Sequence, residues 1–151
     1  MPNLVRLEEL LPVLETVLED GGEITFSPRG NSMRPMLKFG DSITIKSFNR
    51  PLKRYALPLY RRENGQFVLH RVVGKNKDGY IMRGDNQLNK EYGITDANVL
   101  GEVIAFTRNG KQYKVTDFSY KVYCLLRCNF LTVFLRRVKQ KIKRILKGSR
   151  V

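Results

Sequence analysis

A chain of 151 residues with 42% hydrophobic content can bury one ordinary core, which excludes dependence on disulfide staples. Its net charge of +14 is uneven: residues 1–117 hold 18 Lys and Arg against 14 Asp and Glu, whereas residues 118–151 hold 10 against none. The excess therefore sits in the tail and points to an anionic partner there, a membrane surface or nucleic acid.

Leu4, Leu7, Leu11, Leu14 and Leu18 recur at three- and four-residue steps, which predicts an amphipathic helix over residues 1–22, stopped by Gly21-Gly22. Arg6, Glu8, Glu9 and Glu15 interrupt this apolar stretch, so it is expected to be neither a signal h-region nor a membrane span.

From Ile24 the pattern changes to short β-prone runs. Ile24–Phe26, Ser42–Ile45, Ala56–Tyr60, Phe67–Leu69, Tyr80–Met82, Val99–Thr107 and Gln112–Val115 predict seven strands, and residues 23–116 a mainly β, compact antiparallel domain. Asn64-Gly65 and Asn109-Gly110 are the strongest hairpin signals.

Residues 117–151 predict a basic amphipathic tail of one long helix or two. Val122, Leu126, Phe130, Phe134, Val138, Ile142 and Ile145 form its stripe, and Lys and Arg fill the other faces of its second half. Such a helix suits the interface of an anionic bilayer through residues 120–147, giving a peripheral membrane association on an unspecified side. Its alternative is packing by the stripe on the N-terminal helix, whose leading 23 residues carry −5. Few aromatics interleave with the basic residues, so nucleic acid is not expected as a partner. Cys124 and Cys128 fit neither a disulfide framework nor paired zinc ligands; buried reduced thiols are expected in preference to acylation sites. No cofactor or metal is expected.

A serine hydroxyl is a poor nucleophile until a base within reach takes its proton. The chain has six serines and one histidine. Ser32 stands out because a strand-like run leads into Gly30 and Pro35 ends regular continuation. Taken alone, Ser32 is equally an ordinary loop residue, and His70 a partly buried side chain at the end of an apolar strand.

Read together with the later blocks, Gly30-x-Ser32-Met33-x-Pro35-x-Leu37-x-x-Gly40-Asp41 resembles the nucleophile region of the type I signal peptidases. Leu69-His70-Arg71-Val72-Val73, Arg83-Gly84-Asp85-Asn86 and Val99-Leu100-Gly101-Glu102-Val103 follow in the family's order, so the similarity covers about residues 24–107. Histidine rather than lysine at position 70 places the resemblance with the endoplasmic-reticulum-type branch.

The resemblance implies the β fold shared by signal peptidases and self-cleaving repressors. It also implies a serine endopeptidase that removes signal or leader segments from exported polypeptides. Ser32 is then the nucleophile and His70 the base, a role imidazole can fill near neutral pH. Asp85 is the expected third group, with Glu91 a less secure candidate; Asp85 can instead hold its own turn, the reading favoured for Asp41. Gly30, Asn31 and Met33 are the expected oxyanion and substrate contacts. Gly30 replaces a serine that many members use in the oxyanion hole, which leaves the Ser32 N–H and the Asn31 amide for that task. The membrane anchor that typically precedes the domain is not expected here. Two alternatives follow: a self-cleaving repressor-like protein cut near Gly22, and a degenerate fold serving as a basic membrane- or nucleic-acid-binding module.

Overall fold

The computed structural model describes residues 7–148, and Leu4 of the predicted leucine stripe lies outside them. The N-terminal helix α1 is Leu7–Glu19. Its Leu14 and Leu18 are buried in the main core, and the chain turns at Gly21, which lies in the left-handed region.

Among the described residues nine strands follow, two more than the sequence pattern predicts. They are β1 (Glu23–Phe26), β2 (Ser42–Lys46), β3 (Pro58–Arg61), β4 (Phe67–Leu69), β5 (Arg71–Asn76), β6 (Gly79–Arg83), β7 (Glu91–Ile94), β8 (Val99–Arg108) and β9 (Lys111–Lys114). The additional two are β5 and β7. The predicted run Ala56–Tyr60 enters its strand only at Pro58, because proline, which has no ladder N–H to offer, is tolerated at a strand's first residue.

All pairings are antiparallel, in two sheets. The larger runs β1-β2-β8-β3-β4, with β9 also on β8; the smaller is β5-β6-β7. The 10-residue β8 is the spine, pairing β2 on one side and β3 and β9 in succession on the other. The chain crosses between sheets at His70, the single residue separating β4 from β5.

Alternation along the strands makes two cores. Leu59 and Leu69 point into the main one with Ile43, Ile45 and Val103, while their neighbours Tyr60 and Val68 point into a second with Val72, Tyr80 and Met82. β3 and β4 are thus buried on both faces, and each large apolar side chain withdrawn there contributes about 1.5–3 kcal/mol.

The tail forms two helices, α2 (Phe118–Cys128) and α3 (Phe130–Gly148). The face of α2 that packs is Tyr120, Cys124 and Cys128, not the predicted stripe: Leu126 is exposed. Tyr120 and Cys124 belong to the main core, so α2 packs on the β strands through these side chains. Both thiols are free and buried. Among the described residues, no helix is long and apolar enough to cross a membrane.

Candidate active site

Ser32 sits on a turn after β1, where Arg34 N–H donates to the Asn31 carbonyl at 3.2 Å and Leu37 N–H to the Met33 carbonyl at 3.1 Å. Met33, Met36 and Leu37 drive the turn into the main core and leave Ser32 half-buried beside a cleft of about 260 Å³. Met33, expected as a substrate contact, borders the cleft but is 5% exposed and acts as an anchor of the turn. Gly30 has φ +102 with no atom within 4 Å of a Cβ built on it, so backbone conformation, not crowding, requires glycine there. Asp41 holds its turn as expected, accepting from Lys38 N–H at 2.8 Å and Asn109 N–H at 3.4 Å.

His70 lines the same cleft from the opposite side, with Gln66, Phe67, Val68 and Leu69. The third wall is the loop after β6. Asn86 N–H donates to the Ser32 carbonyl at 2.7 Å, and a Cβ placed on Gly84 would stand 2.7 Å from that carbonyl oxygen and 3.1 Å from His70 Nε2. Serine and histidine therefore face one small space. Ser32 Oγ makes no hydrogen bond to His70 in this structure.

The opposite imidazole nitrogen is held by Tyr60, which together with Arg62 ties it to Glu91; of these three the sequence pattern points only to Glu91. Tyr60 Oη lies 3.2 Å from His70 Nδ1 and donates to Glu91 Oε2 at 2.7 Å. Arg62 grips Glu91 with two hydrogen bonds, Nε to Oε1 and Nη2 to Oε2, both 2.7 Å. A phenol has one hydrogen, and the acceptor-only Glu91 takes it, so the bond to His70 runs from Nδ1–H to the Tyr60 oxygen. Nε2 is then left unprotonated on the side facing Ser32. Burial pushes the Tyr60 hydroxyl far above its ordinary value, which keeps the proton on it.

Burial also lowers the His70 pKa, opposed by the Glu91 carboxylate 3.7 Å from Nδ1. The imidazole is thus neutral near pH 7, the form a general base requires. Glu91 is itself held below the usual carboxylate range, first by the Arg62 hydrogen bond.

Of the two expected acids, Glu91 lies beside the imidazole and Asp85 is engaged elsewhere. Asp85 does not bond His70: it is paired with Arg71, Nε to Oδ1 at 2.8 Å and Nη2 to Oδ2 at 2.7 Å, and accepts from Tyr123 Oη at 2.9 Å. Arg71 is 0% exposed and also donates to the Tyr55 carbonyl, Tyr120 Oη, Cys124 Sγ and Met36 Sδ, with its guanidinium over the Tyr120 and Tyr123 rings. A carboxylate so occupied fixes the loop behind the cleft, and the acid beside the imidazole is Glu91.

Two signals for these residues lie in the sequence: an arginine inside the apolar run Leu69–Val73, and a tyrosine and an arginine two positions apart at the end of β3. Neither points to a partner without the sheet pairing. Among the described residues, no group of three or more His, Cys, Asp or Glu side chains is arranged to hold a metal ion. No family model matches this sequence, and no curated protein matches it.

Proposed function

We propose that the chain is a serine endopeptidase with the fold type of the signal peptidases and self-cleaving repressors, cutting signal or leader segments from exported polypeptides. The observation that carries this reading is the shared cleft of Ser32 and His70, with Nδ1 tied through Tyr60 to Glu91 and Nε2 left free on the serine side.

In the reaction, the Ser32 Oγ–C bond forms as the hydroxyl proton passes to His70 Nε2. The imidazolium then protonates the departing amine as the peptide bond breaks. Water attacks the acyl-serine, giving its proton to Nε2; the C–Oγ bond then breaks, Oγ takes that proton back from Nε2, and the acid leaves. Tyr60 and Glu91 keep the ring oriented and stabilise the imidazolium between the two transfers. In this reading the developing oxyanion is received by the Ser32 N–H, which donates to no acceptor among the described residues, and by the Asn31 amide.

The sheet supplies a place for the substrate. β1 and β4 are the two ends of the strand path β1-β2-β8-β3-β4, and the cleft is lined by residues just after β1 and by β4 itself. An extended peptide pairing with either edge brings its carbonyl past Ser32.

Labelling with a fluorophosphonate probe tests the pair. Wild type should label, and Ser32→Ala and His70→Ala should each lose the signal by about 10³-fold or more. Equal labelling of wild type and Ser32→Ala overturns the reading in favour of the degenerate binding module, and a stable new N-terminus near Gly22 on incubation favours self-cleavage instead.

A further inference from the structure

α3 has two faces with different tasks. Val133 is buried, Arg136 Nη1 donates to the Asp85 carbonyl at 3.0 Å and Arg137 Nη2 to the Leu88 carbonyl at 3.3 Å. At about 100° per residue these three positions fall on one side of the helix, the side against the body. Leu131, Leu135, Val138, Ile142 and Leu146 fall on the other. Leu131, Leu135, Ile142 and Leu146 are between 51% and 64% exposed, and Leu125 on α2 adds a further exposed side chain at 57%. Packing among the described residues therefore leaves these side chains open.

The borders of the stripe are basic. Lys139 and Lys141 flank it on either side, Lys143, Arg144 and Lys147 follow behind, and α3 has no acidic residue. A solvated charged helix does not require several aligned, half-exposed leucines and isoleucines, and a protein interface of this kind is usually depleted in lysine at its core. An apolar strip one helix wide with lysines at both margins matches the boundary of a bilayer. There the side chains enter the acyl region and the lysine stems extend to anionic headgroups.

We propose that the outward face of α3 docks on an anionic lipid bilayer, lying in the interface without crossing it. This inference does not rest on the peptidase reading, since none of its residues belongs to the cleft. The two are nevertheless connected in space. α3 is bonded to Asp85 and Leu88, and the adjoining Asn86 is bonded to Ser32, so a docked helix holds the cleft near the membrane surface.

Co-sedimentation of the full chain with vesicles tests it, using phosphatidylcholine and phosphatidylglycerol in equal parts against phosphatidylcholine alone. Wild type and Ser32→Ala should bind the anionic vesicles alike, which separates this result from any outcome for catalysis. Leu135→Glu with Ile142→Glu should weaken binding by about tenfold or more, and Lys139→Glu with Lys141→Glu should remove the preference for anionic lipid. Both pairs are exposed and should leave the thermal midpoint unchanged, with circular dichroism confirming the fold. Equal binding by the Leu135/Ile142 double variant overturns the proposal. So does duplex DNA binding without vesicle binding, or a dimer that these variants make monomeric while wild type ignores vesicles.

Discussion

Tyr60 and His70 meet as hydroxyl oxygen and ring Nδ1, 3.2 Å apart, at the seam where the chain leaves one sheet for the other. Both are buried, and Tyr60 is 0% exposed. Since the phenol proton goes to Glu91, this one contact sets the imidazole tautomer and leaves Nε2 as the nitrogen without a proton.

Replacing Tyr60 with Phe keeps the ring packing and removes the oxygen. His70 Nδ1–H then has only Glu91, at 3.7 Å, within reach. Leaving a buried donor poorly satisfied costs about 1–3 kcal/mol, which predicts a fall in kcat of about 10- to 100-fold. Steady-state kinetics on a susceptible leader peptide should show this in kcat with KM nearly constant, because Tyr60 lies behind the base and does not line the cleft. A change confined to KM would remove Tyr60 from the role of positioning His70.

The pH dependence has a definite sign. Burial lowers the His70 pKa in the fold, so kcat/KM should rise with pH through a midpoint below about 6.5, the free imidazole value. Glu91 opposes that lowering, so Glu91→Gln should move the acid limb to still lower pH while reducing the plateau. Stability follows the same sign. The unfolded histidine binds protons more readily than the folded one, so the contribution of the neutral side chain is present above about pH 6.5 and is lost as pH falls through the folded value. A kinetic pH titration of wild type and Glu91→Gln checks the shift, and a limb that moves upward contradicts the assignment.

Asp85 and Glu91 should be distinguishable by what their replacement costs. Its carboxylate is 2% exposed and neutralises the buried Arg71, so Asp85→Asn leaves a guanidinium charge without its counter-ion. Breaking a buried pair in this way costs about 3–5 kcal/mol, which chemical denaturation should report as a large loss in midpoint. Glu91→Gln, in a partly exposed pair with Arg62, should cost far less stability and more activity. The reverse pattern would return Asp85 to the role of orienting His70.

That pattern also shows where the sequence is informative. Ser32 and His70 are legible because each stands in a local motif, and the strands near them are marked by apolar alternation and Asn-Gly turns. The residues that link His70 to Glu91, Tyr60 and Arg62, are not legible locally. Glu91 reaches Tyr60 and Arg62 across about thirty residues, on a strand whose Glu-Tyr-Gly-Ile sequence has neither alternation nor a run of β-branched residues. Asp85 was the more visible acid because it lies inside a motif, but its partner Arg71 was read only as part of the histidine block. In α2 the apolar stripe is visible, yet Tyr120, Cys124 and Cys128 form the buried face, Tyr120 and Cys124 meeting Arg71 and Tyr120 also meeting Phe106.

Gly84 gives the most local test of the cleft. An alanine Cβ there would meet the Ser32 carbonyl oxygen at 2.7 Å, closer than such atoms approach, with His70 Nε2 and Gln87 Oε1 each at 3.1 Å. The nearest contact is backbone, and the Asn86 N–H at 2.7 Å holds that same carbonyl, so relief requires the Ser32 turn to move away from the loop. A displacement of about 1 Å in a reacting group can cost about 10²-fold in rate. Gly84→Ala should therefore lose about that much kcat/KM and fluorophosphonate reactivity, with a thermal midpoint lowered by only a few degrees because the main core is untouched. Gly30→Ala acts differently, since nothing stands within 4 Å of the added methyl and the strain lies in φ +102 alone. Comparing the two by probe-labelling rate separates crowding between Ser32 and His70 from backbone strain ahead of the serine. Full reactivity in Gly84→Ala would mean that Ser32 and His70 do not act across the space this glycine keeps open.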